Sequence, residues 1–397
     1  MDKLTILADD LTGALDTGVF FASMGASVSL SGEIPDTACR LFCLGTRHLS
    51  PDAAFSRTVQ ALEGAEGAVY FKTDSLLRGH IGAGLEALCK ARGTVFFAPA
   101  YPAMGRTVED GTVLVHGTPL LESVYAQDAR NPVKHEKVAE IIAEEASVPV
   151  LNITPDSPIP ADFRGVLICD AKTDAELDRA ALSALDAGLT AFAGCAGFAQ
   201  AIARAVKAGE APDMLALSSD RLFVVSASVH PATLEQLSTA RSLGVPGVWL
   251  YDGGRGETQQ ANAAQKAARI LKSGDCVLLA AAFGDVQRSK VENTFKALRM
   301  SPDETAQTIV SELAEAASRV LSRTSAAVFV IGGDTLAAFC EKTGIVRISP
   351  RMSLAPGIIG CEAADARGRI KSLITKAGSF GDAACILDLA DEFRKSV

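Results

Sequence analysis

Tryptophan occurs once in the 397 residues, and aromatic side chains make up only 6% of them. That scarcity speaks against an aromatic-rich β-sandwich, while 34 glycines and abundant alanine suit tight packing of helices on a sheet. Positive charge is also short, with Lys+Arg 38 against Asp+Glu 47 and a net charge of −9. A protein held by nucleic-acid phosphates usually carries a basic surplus or stripe, so no nucleic-acid role is expected. No run of about 18 uncharged apolar residues occurs, so no membrane span is expected either. The nine cysteines include no CxxC pair, and Cys39 and Cys43 lack partners at zinc-like spacing. They read as reduced apolar filler. The opening MDKLTILADD places two acids after a short apolar run, unlike a signal peptide, and a cytoplasmic location is expected. Several catalytic signatures are missing too: GxxxxGK[ST], GxSxG, HExxH, and any GxGxxG after a strand. A P-loop ATPase is thereby excluded and a Rossmann dehydrogenase disfavoured.

Hydrophobic residues make up 48% and charged residues 21%, enough for a sizeable core. At ~150 residues per domain the length predicts two or three domains. Short β-branched runs alternate with helical segments: Leu4 to Leu7, Ser27 to Leu30, Leu41 to Leu44, Val69 to Phe71, Val95 to Ala98, Val148 to Ile153, Val166 to Cys169 and Thr190 to Ala193. A second series runs through Leu222 to Ser226, Gly247 to Tyr251, Cys276 to Ala280, Ala327 to Ile331 and Ile345 to Ile348. This pattern predicts an α/β protein of two lobes, each a mainly parallel sheet flanked by helices. The Gly/Pro/polar stretch 207 to 221 reads as the linker, giving domains 1–212 and 213–397. Ligands of such sheets sit at the carboxyl ends of strands, and an interdomain cleft is the expected active site.

The first strand runs into Asp9-Asp10-Leu11-Thr12-Gly13, with Asp16 about one helical turn further on. Crowded carboxylates raise one another's pKa and suit a general base or a ligand for Mg²⁺ or sugar hydroxyls, although an Asp at a helix start is also an ordinary cap. Neighbouring strand ends carry Arg47 and the run Lys72-Thr73-Asp74-Ser75-Leu76-Leu77-Arg78. Arginine forks and a lysine suit a small anionic polyol, while pairing with the acids for stability is the plainer alternative. His48 and His80 read as orienting or surface groups. The segment Pro99 to Val108, with Arg106, forms either a substrate wall or a rigid connection. In the second series, Ser226-Ala227-Ser228 and Gly332-Gly333-Asp334-Thr335 stand at strand-to-helix turns, where hydroxyls and free amides favour phosphate. Leu354 to Ile358 and Thr375 to Gly381 add two further turns to an expected anion-binding lobe.

LADDLTGALDTGV, KTDSLLRGHIG, PAYPAMGRTV, AGCAGFA, GGDT and KAGSFG, in this order, resemble the four-carbon acid sugar kinases, which act on threonate, erythronate and 3-oxo-tetronate. The resemblance implies an acid-sugar-binding N-terminal domain, an ATP-binding C-terminal domain, and phosphorylation of the terminal 4-hydroxyl. It places Asp9, Asp10, Arg47, Lys72, Asp74 and Arg78 in the sugar site. Ser75 and Arg106 are further candidate substrate contacts. Asp10 or Asp9 is the expected catalytic base, and Arg78, counted with them as catalytic, is expected to hold the substrate carboxylate with Arg47 and Lys72. For the nucleotide it implies Ser226 or Ser228, Gly332, Gly333, Asp334, Thr335 and Gly378. ATP and Mg²⁺ are the implied cofactors, with the metal's protein ligands left open. The sequence departs from many members at Ala227, Asp334 and Leu76-Leu77. A sensor that keeps the fold without catalysis and a nicotinamide-dependent dehydrogenase are the competing readings. A homodimer is a further expectation.

Overall fold

The computed structural model describes residues 1–30, 36–47, 49–123, 134–211 and 221–395. The chain divides into two compact units, one of Met1–Ser29 and Glu33–Glu210, the other of Ala211–Val397 with Leu30–Gly32. The expected boundary between residues 212 and 213 and most of the linker lie outside the described residues, as does His48.

In the first unit β1 (Leu4–Ala8) leads into α1 (Leu11–Gly18). There follow β2 (Ser27–Ser29), β3 (Cys39–Cys43), α2 (Pro51–Glu63), β4 (Ala68–Lys72), α3 (Ile81–Arg92) and β5 (Thr94–Ala98). An excursion through β6 (Arg106–Glu109), β7 (Thr112–Val115) and β8 (Thr118–Pro119) makes a separate small antiparallel sheet. The chain then continues through α4 (Val138–Ala143), β9 (Val150–Ile153), β10 (Gly165–Cys169), α5 (Asp174–Asp186), β11 (Ala191–Gly194) and α6 (Ala196–Ala205).

The main sheet has the order β2-β3-β1-β4-β11-β5-β10-β9 and every pairing is parallel. Its central strands are buried along their whole length, which is why they read as unbroken apolar runs. On this sheet Phe96 of β5 stacks on Phe198 of α6 with ring centroids 5.5 Å apart. Helix α3 packs so closely that a Cβ on Gly84 would lie 2.0 Å from the Phe71 ring. The segment after β5, read as a wall or connection, turns into a hairpin. Asp110 and Gly111 supply two successive positive φ angles, 50° and 69°, as a tight two-residue turn between β6 and β7 requires.

The second unit runs β12 (Leu222–Ser226), α7 (Pro231–Ser242), β13 (Gly247–Trp249), α8 (Glu257–Ser273), β14 (Cys276–Ala280), α9 (Asp285–Ala297), α10 (Pro302–Leu321), β15 (Ala327–Ile331) and α11 (Gly333–Thr343). It closes with β16 (Ile345–Ala355), β17 (Ile358–Asp365), β18 (Ile370–Lys376) and α12 (Cys385–Lys395). The order is β13-β14-β12-β15-β18-β17-β16; the first five strands are parallel, and β18, β17 and β16 pair antiparallel. Ile386, Leu389 and Phe393 of α12 pack with Leu222, Val224 and Phe329 in the core.

One expectation is corrected here. The strand predicted to stop at Ile348 continues to Ala355, and Pro356-Gly357 joins it to β17 as a hairpin turn. The segment Leu354 to Ile358 therefore spans the ends of two antiparallel strands and the turn between them, and a Cβ on Gly357 in that turn would lie 2.4 Å from the Phe380 ring. Pro350, Arg347 and Arg351 interrupt the apolar run, and much of β16 is only half-buried, so no continuous hydrophobic signal marked it. Among the described residues no helix is long and apolar enough to cross a membrane.

Each sheet has a place where consecutive connections leave in opposite directions. In the first unit the chain goes from β1 to β2 and β3 on one side, then crosses to β4 on the other. In the second it goes from β12 to β13 and β14, then crosses to β15. Loops diverge at such switch points and open a crevice at the strands' carboxyl ends.

Candidate active site

At the switch point of the first unit, pairing sets Ala8 level with both Cys43 and Lys72, and Lys72 level with Gly194. The residues that follow these strand ends therefore share one edge. Asp10 begins α1 as its cap: its Oδ1 accepts from the Gly13 amide and from Thr12 Oγ1. Arg47, which follows β3, reaches across to both neighbouring acids. Its Nε and Nη2 donate to Asp9 Oδ2, and its Nη1 lies 2.7 Å from Asp10 Oδ2. Both Asp10 oxygens are thus occupied, whereas Asp9 Oδ1 is buried without a hydrogen-bond partner.

The two acids respond differently to this environment. Burial pushes the Asp9 carboxyl up, against the pull of Arg47. Burial would raise Asp10 as well, but Arg47, Lys72 and the two cap hydrogen bonds outweigh it and hold the carboxyl below its ordinary value.

Lys72, the last residue of β4, is buried and donates to the Thr73 carbonyl at 2.8 Å. It stands against the start of α1, where a Cβ on Gly13 would lie 3.0 Å from Asp10 Oδ1 and 3.3 Å from Lys72 Nζ. The next residues fold into a tight turn around Asp74, whose carboxylate accepts from the Leu76 amide and, in a fork, from Arg78 Nε at 2.8 Å and Nη2 at 2.9 Å. Arg78 holds the Asp74 carboxyl far below the usual range despite its burial. Leu77 takes a left-handed φ of 56° within this turn. His80 is tethered through both ring nitrogens, to Glu145 and to the Leu49 carbonyl, at 2.7 Å each.

Asp16 lies further along α1. Burial, opposed by Lys72, pushes its carboxyl up to about 6. Ser75 is buried in the Asp74 turn. Arg106 is buried beside the Tyr101 bridge and donates to the Met104 carbonyl at 3.0 Å.

Asp9, Asp10, Arg47, Lys72, Asp74, Ser75 and Arg78 thus gather at neighbouring strand ends. Arg47 and Arg78 are engaged with carboxylates of the chain itself, which is the plainer alternative that the sequence left open. Two contributors were missed. Thr73 carries a buried hydroxyl without a partner in the midst of the cluster. Its position between Lys72 and Asp74 was the available signal. Glu145, which also accepts from the Ala83 amide, has no local motif.

In the second unit Ser226 is level with Ile331, and Ile331 with Lys376. Ser226 Oγ accepts from the Ser228 amide at 3.3 Å, and Ser228 Oγ accepts from the His230 amide at 3.2 Å. Ser228 Oγ donates to Thr233 Oγ1, which in turn donates to the Gly378 carbonyl at 2.8 Å. Gly332 has φ 101°, and a Cβ there would lie 3.3 Å from Thr335 Oγ1. On Gly378 it would lie 2.9 Å from Ser228 Oγ. Ser226, Ser228, Gly332, Thr335 and Gly378 therefore form one close group. Gly333 begins α11, and Asp334 is exposed in its first turn. Thr233 was missed because its link to Gly378 spans 145 residues. Hydroxyls, glycines and a helix start make a donor set suited to phosphate. Among the described residues no three or more His, Cys, Asp or Glu side chains converge as a metal site.

Comparison with known proteins gives the same division. A family model described as a sugar-binding N-terminal domain matches residues 4–202, and one described as a nucleotide-binding C-terminal domain matches residues 223–386. The chain is 26% identical to a D-threonate kinase of Salmonella typhimurium, in an alignment covering 97% of each. It is 25% identical to a D-erythronate kinase of Heliobacterium modesticaldum, over 97% of this chain and 96% of the relative. A 3-oxo-tetronate kinase of Methylobacterium radiotolerans is 26% identical over 96% of each. The crystal structure of a Salmonella typhimurium LT2 protein shares the fold with a TM-score of 0.79 at 23% identity, covering 99% of this chain and 100% of that one.

Proposed function

The chain belongs to the family that joins a sugar-binding N-terminal domain to a nucleotide-binding C-terminal domain, and from that premise we propose that it is an ATP-dependent kinase phosphorylating the terminal 4-hydroxyl of a four-carbon sugar acid. Threonate, erythronate and 3-oxo-tetronate, the acids in the relatives' names, are the candidate acceptors. The observation that carries the reading is the pairing of two unlike sites: a buried acid–base cluster at one switch point and a hydroxyl-and-glycine cradle at the other.

Phosphoryl transfer asks for positioning, charge neutralisation and a carboxylate that orients or deprotonates the attacking hydroxyl. Asp9 fits the last role better than Asp10. Its Oδ1 has no partner, its affinity for a proton is raised by burial, and Arg47 steadies its other oxygen. The acceptor's 4-hydroxyl would give its proton to Asp9 as its oxygen attacks the γ-phosphorus and ADP departs. Asp10, capping α1 and bound by Arg47, holds the geometry. Lys72 and the Thr73 hydroxyl would be the donors for the acid and its hydroxyls, with Ser75 in the same turn and Arg106 as a further contact. Arg78, locked to Asp74, shapes the turn that presents them.

The ATP phosphates would lie on the group formed by Ser226, Ser228, Gly332, Gly333, Thr335 and Gly378. Mg²⁺ takes one or two carboxylates and otherwise water and phosphate oxygens, and the exposed Asp334 at the cradle fits that requirement. When bound it would offset the charge of the phosphates.

The test is a coupled ADP-release assay with Mg²⁺ and ATP over the stereoisomeric four-carbon acids. Turnover with one or more of these acids, and none when the acid is omitted, is expected. Thermal stabilisation by NAD⁺ and none by ATP with Mg²⁺ would sink the proposal.

A further inference from the structure

The loop 377–381, which follows β18 and carries Gly378, is held by an unusual set of side chains. Thr233 Oγ1 donates to the Gly378 carbonyl at 2.8 Å. Lys376 Nζ donates to the carbonyls of Ala377 at 3.1 Å and Phe380 at 2.9 Å. Gln236 Nε2, from α7, donates to Phe380 at 2.9 Å and Gly381 at 2.8 Å. Four of the loop's five carbonyls are therefore drawn toward Lys376 and α7. In a trans peptide the C=O and the following N–H point in opposite directions. Pulling those oxygens inward turns the amides of Gly378, Ser379, Gly381 and Asp382 away from the clamp, as an anion-binding concavity requires.

The chemistry of the two clamping residues has its own logic. Lys376 and Gln236 are each only 1% exposed. Among the described residues no carboxylate pairs with Lys376, although burying an unpaired ammonium is costly. An apolar side chain would fill the space without that penalty. A cation retained beneath outward-facing amides adds positive potential where phosphate would bind.

We infer that Gln236 and Lys376 are positioning residues that hold the loop 377–381 as a cradle for the nucleotide's phosphates. This rests on the reading of the second unit given above; the sequence offered Lys376 only as part of the turn Thr375 to Gly381 and did not single out Gln236.

The test uses the full-length protein and ADP with Mg²⁺ as the probe, followed by steady-state kinetics. Gln236→Leu and Lys376→Met should each raise the ADP Kd and the ATP KM by about tenfold, the scale of one well-made buried hydrogen bond, and leave the acceptor KM within about twofold. A merely structural role would move both KM values, or the melting temperature alone. Charge gives a second readout. Burial brings the Lys376 ammonium down to about 8, so wild-type ADP affinity should fall as pH rises from 7 to 9.5. Lys376→Met should abolish that dependence. The other titratable group acting on the ammonium is Cys385 of α12, pushed up to about 11 by burial; Asp382 and Asp388 act on that thiol, and His230 caps α7. They are unchanged in the variant, so the comparison isolates the lysine. Wild-type affinity in both variants, with ADP still bound by the native protein, overturns the clamp and leaves the kinase reading standing. Failure of the native protein to bind any adenine nucleotide overturns both. If Lys376→Met does not fold, unchanged affinity in Gln236→Leu together with a flat wild-type pH profile still overturns the inference.

Discussion

Asp9 and Asp10 are adjacent in the chain, share one arginine, and are driven in opposite directions: burial and the neighbouring acids raise Asp9, whereas Arg47, Lys72 and the helix-start hydrogen bonds outweigh burial at Asp10. If Asp9 takes the proton, Asp9→Asn should lower kcat by about 10²–10⁴, the usual contribution of a general base. Asp10→Asn keeps an acceptable cap and should lose less, whereas Asp10→Ala should also cost about 1 kcal/mol of stability. ADP release and urea midpoints separate the two effects. Asp16 offers a check in pH. Its carboxyl is raised from 3.8 to about 6, so the folded state binds the proton more tightly than the unfolded state does. Stability is then lost as pH rises through that window. Asp16→Asn should raise stability by about 1–3 kcal/mol at pH 7.5 and make no difference at pH 3.5, as measured by denaturant melts. The residue types at the strand ends were legible in the sequence. Their partners were not: the bridge from Arg47 to Asp9 spans 38 residues and depends on strand order, which no local pattern encodes.

At the scale of elements, the buried parallel strands were legible because helices cover the sheet and leave long apolar runs. The ladder of β16, β17 and β18 is only partly visible in the sequence, and no alternation there marks the β6–β7 hairpin. Their strands are short, half-exposed or interrupted by proline, so the hydrophobic pattern is broken where pairing partners supply the stability. Glycine has a packing role that composition only hinted at. Gly84→Ala would drive a methyl group into the Phe71 ring and force α3 off β4. A loss of about 1–3 kcal/mol or more in a chemical melt is expected. Gly13→Ala is the milder counterpart: its Cβ would press on Asp10 Oδ1 and Lys72 Nζ, so it should disturb acceptor binding more than stability.

For the whole molecule, a net charge of −9 sits oddly with two anionic substrates. The first unit resolves this without a large positive surplus: Arg47, Lys72 and Arg78 stand among Asp9, Asp10 and Asp74, and the cluster is close to neutral before a ligand arrives. Recognition then falls to directed hydrogen bonds. In the nucleotide site proposed for the second unit, amides and hydroxyls would take this part, with the buried Lys376 beneath them. Because the two sets of residues are separate in sequence, hydrogen-exchange footprints should be separate as well. A four-carbon acid should slow exchange around 9–16, 44–47 and 72–80, and ADP around 226–230, 332–335 and 377–381. A single footprint shared by both ligands would contradict the assignment.

The strand order of the first unit also bears on how the protein is made. β11 lies between β4 and β5, near the middle of the sheet, yet it is the last of that sheet's strands to be synthesised. While the chain is still emerging from the ribosome, β4 and β5 each expose an unpaired edge until Gly194 is available. Such long-range parallel pairing is slow and leaves apolar edges open to wrong partners. Fragments ending before residue 191 should therefore aggregate instead of folding, and the nascent chain is most in need of a chaperone just before its central strand appears.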